Sequence, residues 1–278
     1  MLCNEQRSDS VLASHWDQEK RPGIGAPRLN ILVISQQWEP EEGTPQRRWA
    51  HFVAGLVGSG HRVAVIAAPP HYPGGALISD NPQHAPGAVA RGKNGEIVFR
   101  SQFRPHERSL AERVLDQAVV ATSSLILASK LIGKHRPDVI LTTAPPIPSA
   151  VTAALVGKTH RVPYIVDLRD VWPDLLSYMN EWGSRAEANP QSPLRADAFD
   201  TLIAAGGWIF RWALKNAAGV ITTTPSFANK LRKEGFSNVL NIRNMASVRE
   251  SPVPPLEESQ VETNRGDGTL RILYAGTT

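Results

Sequence analysis

The chain has 278 residues, 30 Lys+Arg against 26 Asp+Glu for a formal charge of +4, and 41% hydrophobic residues. That length and apolar content can build a large core and exclude a disordered or collagen-like chain. The one cysteine, Cys3, excludes a disulfide framework, a cysteine-rich zinc site and an iron–sulfur cluster.

Met1 to Arg28 is polar and mixed in charge, without the apolar core of a secretory signal, and is expected to be a disordered tail. Asn30-Ile31-Leu32-Val33-Ile34-Ser35 is a short apolar run, the mark of a strand buried on both faces. A Glu- and Pro-rich loop follows, then a predicted helix from Pro45 to Gly58, with Trp49, Phe52, Val53 and Leu56 on one face. Gly58-Ser59-Gly60 stops it, and Arg62 to Ala67 is the next strand, completing a strand–helix–strand unit. His71 to Gly95 reads as a loop, Ile97 to Phe99 as a strand, and Leu110 to Gly133 as a long helix. The alternation continues with a strand at Asp138–Thr143, a helix at Ser149–His160 and a strand at Pro163–Leu168. Helix over 194–216, strand at Gly219–Thr222, helix at Ser226–Glu234 and strand at Val239–Ile242 complete it. Such alternation predicts an α/β domain: a Rossmann-like, largely parallel sheet with helices on both faces, over 29–246. Residues 247–269, rich in Pro and Glu, read as a linker. Residues 270–278 read as the first strand of a second domain that this chain does not carry.

No uncharged apolar stretch reaches the roughly 18 residues of a membrane span, so none is expected to cross one. The basic excess is small and lacks a Lys/Arg run with interleaved aromatics, which argues against a nucleic-acid partner. The expected location is cytoplasmic. Gly55–Gly60 is glycine-dense but ends a helix, so it is no dinucleotide fingerprint, and this disfavours a nicotinamide-dependent oxidoreductase. Gly157-Lys158-Thr159 sits inside a helix, with Thr152 where a P-loop begins with Gly. The histidines are scattered, no metal motif is present, and neither a metal nor another cofactor is expected.

Chemistry concentrates where strands end. In Thr44-Pro45-Gln46-Arg47-Arg48, Thr44 suits an N-cap and Pro45 the first helical position. Arg47 and Arg48 then lie in the first turn, where the helix dipole disfavours cations and a bound phosphate relieves them. Ion pairing with Glu39, Glu41 or Glu42 accounts for the same charges. Val166-Asp167-Leu168-Arg169-Asp170-Val171-Trp172-Pro173-Asp174 gathers carboxylates and an arginine at a buried strand's end, where α/β ligand sites lie. An Arg–Asp pair bracing a loop is the simpler alternative. His71 and Tyr72 leave the second strand at the same end, as site members or bystanders. Trp208, Ile209, Phe210, Trp212 and Leu214, flanked by Arg211 and Lys215, suit core packing or a bilayer surface.

Taken in order, ILVISQQWEPEEGTPQRRWAHFVAGLVGSGHRVAVIAAPPHYPGG, TTAPPIPSAVTA, RVPYIVDLRDVWPD, AAGVITTTPSFANKL and LRILYAGTT resemble the amino-terminal half of retaining family-4 glycosyltransferases. They are most similar to the colanic-acid and capsule branch, typified by an Arg-Asp-x-Trp-Pro segment, over 29–278. The resemblance implies a GT-B fold and metal-free transfer of a sugar, with retention, from a nucleotide-diphosphate sugar. The implied acceptor is lipid-linked or a polysaccharide, at the membrane's cytoplasmic face. It implies donor-phosphate contacts at Gly43, Thr44, Arg47 and Gly276, catalytic positions at Asp170 and Arg169, and an acceptor side that includes His71 and Tyr72. Many relatives carry His-Asp where this chain has Arg169-Asp170, and a glycine pair where it has Gly43-Thr44. A different class of function also fits: a non-catalytic domain that binds only an acceptor or a partner.

Overall fold

The computed structural model describes residues 27–72, 74–107, 109–170 and 193–244. The expected linker, the strand at 270–278 with Gly276, and nearly all of the tail lie outside the described residues. Eight strands form one sheet: β1 (Asn30–Ser35), β2 (Arg62–Ala67), β3 (Val89–Arg91), β4 (Ile97–Arg100), β5 (Val139–Ala144), β6 (Tyr164–Leu168), β7 (Gly219–Thr222) and β8 (Val239–Asn241). The helices are α1 (Thr44–Gly58), α2 (Leu110–Lys134), α3 (Ile147–His160), α4 (Pro193–Lys215) and α5 (Pro225–Lys233).

The strand order is β3-β4-β2-β1-β5-β6-β7-β8. Every neighbouring pair is parallel except β3 and β4. The chain enters at β1, builds outward through β2 and β4, then returns to lay β5 on β1's other side. This reversal between β1 and β5 opens a crevice beyond the strands' carboxyl ends.

Alternation along β1 assigns the two faces. Ile31 and Val33 pack with Trp38, Val63, Val65 and, from α1, Trp49 and Val53. Leu32 and Ile34 point the other way, into a layer that holds Ala128 and Leu131 of α2 and Ala150 and Ala153 of α3. A buried Ile or Leu contributes about 1.5–3 kcal/mol, an exposed ion pair ~0–1. The layering therefore sets the fold, and surface pairs such as Lys93–Glu39 at 3.5 Å contribute little.

Several expectations change. Thr44 is not the cap of α1: Gly43 occupies that position and its carbonyl accepts the Arg47 N–H at 3.1 Å, with no side chain capping the helix. The stretch 71–95 is not all loop, since Pro82–His84 forms a 3-10 turn and β3 pairs with β4 at the sheet's edge. Val-Ala-Arg is too short and too mixed to announce a strand by pattern. Glu112–Lys134 is long and apolar enough, by length and composition, to cross a membrane. An uncharged apolar run of that length is absent because Asp116 and Lys130 bound the stretch and Ser and Thr dilute it; here Val120, Ala128, Leu131 and Ile132 of that helix are in the core. Gly157, set aside above as a false phosphate motif, has a packing reason. A Cβ there would come within 2.8 Å of the Val162 carbonyl oxygen and of the Tyr164 ring.

The aromatic helix is divided. Phe210 and Leu214 are buried in the core, whereas Trp208 is 71% exposed.

Candidate functional site

Three loops meet beyond the carboxyl ends of β1, β2 and β6, and two buried acids bind them together. Asp167 belongs to β6 and is 1% exposed. It receives one edge of the Arg48 guanidinium, Nε at 3.0 and 3.2 Å and Nη2 at 2.8 Å. Nη1 of Arg48 continues to Asn244 Oδ1 at 3.1 Å, and the guanidinium lies 4.5 Å from the Phe52 ring centroid. The fork geometry of arginine is what permits this two-pronged bond.

Glu41 is the second acid. Its Oε1 accepts the backbone N–H groups of His71 (2.8 Å) and Tyr72 (2.9 Å), while Oε2 accepts from Gln46 Nε2 at 3.1 Å. A loop leaving β1 thus supplies the acceptors that a loop leaving β2 lacks. Beside it, Arg100 donates to the carbonyls of Ala68 and Glu39. Burial pulls its pKa down to about 10, against the opposing charge of Glu41.

Arg169 and Asp170 follow β6. Arg169 donates from Nε to Thr143 Oγ1 at 3.0 Å and from Nη2 to the Pro145 carbonyl at 2.7 Å. Thr223 Oγ1 donates to the Arg169 carbonyl at 3.0 Å, so the ends of β5, β6 and β7 are joined here. Burial lowers the Arg169 pKa; Asp170 and Asp167 oppose that, and Arg48 adds to it. Asp170 is exposed.

At α1, Gly43 is fully extended (φ 175, ψ 173), a conformation open to any residue. A Cβ there would come 2.7 Å from Gln46 Oε1, the end of a flexible side chain. Thr44 and Arg47 are exposed, and Arg47 has no ion pair among the described residues. The two arginines therefore differ. Arg48 is consumed by Asp167 rather than by the loop glutamates, and Arg47 faces solvent at the helix start.

His71 is buried and Tyr72 is 56% exposed. His71 Nδ1 lies 2.6 Å from the Pro69 carbonyl, which only accepts, so Nδ1 carries the hydrogen; Nε2 faces Asp116 Oδ2 at 3.1 Å. Burial acts to lower the His71 pKa, but bonds to Asp116 and Pro69, with the charges of Asp116 and Glu41, raise it above its ordinary value. Burial pushes the Asp116 carboxyl up, and the His71 bond, the Arg104 N–H and the nearby imidazoles bring it below its ordinary value. His106 Nε2 lies 3.9 Å from the same Asp116 oxygen. One ligand-capable atom from each of His71, His106 and Asp116 falls within 4.8 Å of the other two. This corrects the reading of the histidines as scattered. They are 35 positions apart in the chain, and only the pairing of β2 with β4 brings their loops together.

The structure thus gathers Gly43, Thr44 and Arg47 through α1, Arg169 and Asp170 through β6, and His71 and Tyr72 through Glu41. Gly276 lies outside the described residues. Sequence reading passed over Arg48–Asp167 as the central pair, together with Asp116, His106 and Asn244. Asp167 alone carried a signal, as a charged residue inside an otherwise apolar strand.

An open, mostly parallel sheet with a crevice at its switch point defines a Rossmann-like ligand-binding domain. Residues 43–243 match the glycosyl transferase 4-like domain, and the chain belongs to that family. A protein of Escherichia coli (strain K12), named as the colanic acid biosynthesis glycosyl transferase WcaI, is 24% identical over 259 residues, which are 89% of this chain and 58% of that one. Among solved structures, CalG4, the calicheamicin glycosyltransferase, aligns with a TM-score of 0.50 at 13% identity, over 82% of this chain and 56% of that one. Phytolacca americana UGT2, complexed with UDP-2fluoro-glucose and pterostilbene, aligns with a TM-score of 0.47 at 11% identity, over 81% and 56%. The chain spans a little over half the length of these proteins. Its fold is that of one Rossmann-like half of a GT-B glycosyltransferase, as the resemblance implied.

Proposed function

We propose that this crevice serves the transfer of a sugar, with retention, from a nucleotide-diphosphate sugar to a lipid-linked or polysaccharide acceptor in cell-surface glycan synthesis. One observation carries the reading. The Arg48–Asp167 bond fastens the start of α1, with its solvent-facing Arg47, to the strand end that presents Asp170.

Breaking the bond between sugar and diphosphate builds negative charge on the departing phosphate. Arg47 and the amino-terminal end of α1 supply positive potential where that charge develops. Pro45 has no N–H and that of Arg47 is taken by Gly43, which leaves Thr44 and Gln46 to present backbone N–H groups at the helix start. Asp170 stands at the reacting sugar. Arg169 braces the strand ends through Thr143 and Pro145, and its Nη1, with no partner among the described residues, is the part left for an anion. Gly276 belongs to the donor side in this reading. Burial of His71 leaves Tyr72 as the side chain that meets the acceptor, with His71 shaping the loop. Exposed Trp208 and Leu155, with Lys158 lying over the Trp212 ring, suit peripheral contact with the cytoplasmic membrane face.

The test uses the natural protein as its gene encodes it, a panel of UDP- and GDP-linked sugars, and membranes that supply lipid-linked acceptors. Transfer with the donor's anomeric configuration kept in the product, read by NMR, is expected. An Arg47→Gln variant should show a raised donor KM. Transfer with inversion, or no transfer from any donor in the panel, would overturn the reading.

A further inference from the structure

The cluster of His71, His106 and Asp116 has no part in that chemistry, and it is built with more care than a loop contact needs. His71 leaves β2, His106 stands on the loop after β4, and Asp116 is on α2. Both imidazoles are oriented in the same way. Nδ1 of His71 donates to the Pro69 carbonyl at 2.6 Å, and Nδ1 of His106 donates to the Glu107 carbonyl at 2.7 Å. A carbonyl cannot donate, so in each neutral ring the lone pair sits on Nε2. Both Nε2 atoms turn toward one carboxylate oxygen, Asp116 Oδ2, at 3.1 and 3.9 Å. The other oxygen, Oδ1, is fixed by the Arg104 N–H at 2.8 Å.

Three electron-rich atoms therefore face one another behind side chains that are 6%, 9% and 2% exposed. Such a set holds positive charge at its centre, carried by a proton or by a metal ion. A carbonyl on the far nitrogen of each histidine is the support that orients metal-bound imidazoles.

We propose that His71 Nε2, His106 Nε2 and Asp116 Oδ2 form a binding site for a divalent transition-metal ion of the zinc type, with water completing the coordination. Ligand atoms around a tetrahedral zinc ion lie ~3.3 Å apart. The 3.1 Å contact already meets that spacing, and His106, 3.9 Å from Asp116 Oδ2 and within 4.8 Å of the His71 ligand atom, meets the rest by an inward shift of up to about 1.5 Å. His106 can make it, because Arg104, Pro105 and Glu107 beside it are exposed. The loops are stitched for the purpose. Gly75 accepts the His106 N–H on its carbonyl at 3.1 Å and donates its own N–H to the His71 carbonyl at 2.6 Å. Bound metal would lock the β2 loop, with Tyr72 on it, to α2.

The test is equilibrium binding of Zn²⁺ at neutral pH to the natural protein carrying Cys3→Ser, which removes the chain's one thiol. One ion per protein is expected, with affinity reduced about tenfold or more in His106→Gln and in Asp116→Asn. Cobalt supplies a second readout: visible absorption of Co²⁺ bound to nitrogen and oxygen ligands should appear with the parent and vanish with both variants. His106→Gln alters a loop side chain, and far-UV circular dichroism identical to the parent's confirms that it folds. A centre served by protons alone would show no stoichiometric Zn²⁺ binding, and that result overturns the proposal. Binding of equal affinity in both folded variants overturns it as well.

Discussion

Arg48, on α1, and Asp167, on β6, share a two-pronged ion pair that leaves only 3% and 1% of their side-chain surface exposed. It joins a helix outside the sheet to a strand on the far side of the switch point. The first turn of α1 and the end of β6 cannot separate without breaking it. Asn244 extends the bond to the segment that follows β8.

Removing one partner of a buried pair strands the other. Arg48→Ala and Asp167→Ala should each destabilise by about 3–5 kcal/mol, and the apolar double replacement Arg48→Met/Asp167→Leu should recover much of it. Arg48→Lys should recover little, because an ammonium cannot make the fork. Urea unfolding of the four variants checks this.

Two adjacent glycines give an internal control. Gly75 has a φ of 76, and a Cβ on it would lie 2.1 Å from the His106 carbonyl oxygen; around Gly74 there is nothing within 4 Å. Gly75→Ala should cost at least about 1–3 kcal/mol, whereas Gly74→Ala should stay within ~0.5 kcal/mol. Thermal unfolding of the pair separates strain from a general cost of substitution in this loop.

Glu41 holds the β2 loop through main-chain atoms, so its loss should register there first. In Glu41→Ala the His71 N–H is left buried without its acceptor, along with that of Tyr72, at a cost of about 1–3 kcal/mol. Hydrogen exchange at those two amides should accelerate while that of β1 and β5 amides changes less.

Glu96, 1% exposed before β4, supplies a pH dependence. Burial raises its pKa, with help from Glu39, against hydrogen bonds from the Asn94 N–H and Trp38. A carboxyl raised on folding contributes stability that is full below its unfolded value and lost as pH rises through the folded one. Relative to Glu96→Gln, the parent should be most stable at about pH 4 and lose ground as the pH climbs. Urea midpoints of both proteins across that range check the sign. A difference that grows with pH would show it to be reversed.

Much of the fold was legible because its signals are local. Ile31–Ile34 and Val63–Ile66 announce buried strands by composition, and Gly58–Gly60 marks the end of α1 by backbone chemistry. β3 was not legible, since three mixed residues at an edge acquire strand character only from β4. For the site, strand ends pointed to the right loops, but partner choice is tertiary. Nothing local distinguishes Arg47 from Arg48; the rotation of about 100° per helical residue directs Arg48 to Asp167, 119 positions away, and leaves Arg47 in solvent. Histidines at 71 and 106 meet only because β2 and β4 are neighbours.

Sugar transfer by the natural protein, compared with its Asp170→Ala variant, tests the central claim most directly. Asp170 is exposed and makes no buried bond among the described residues, so the two proteins should unfold at the same urea concentration. Transfer should fall by at least about two orders of magnitude, on the scale set by lost charge stabilisation at a reacting centre. Undiminished transfer by a folded Asp170→Ala protein would contradict the assignment of this crevice as the place where the sugar reacts.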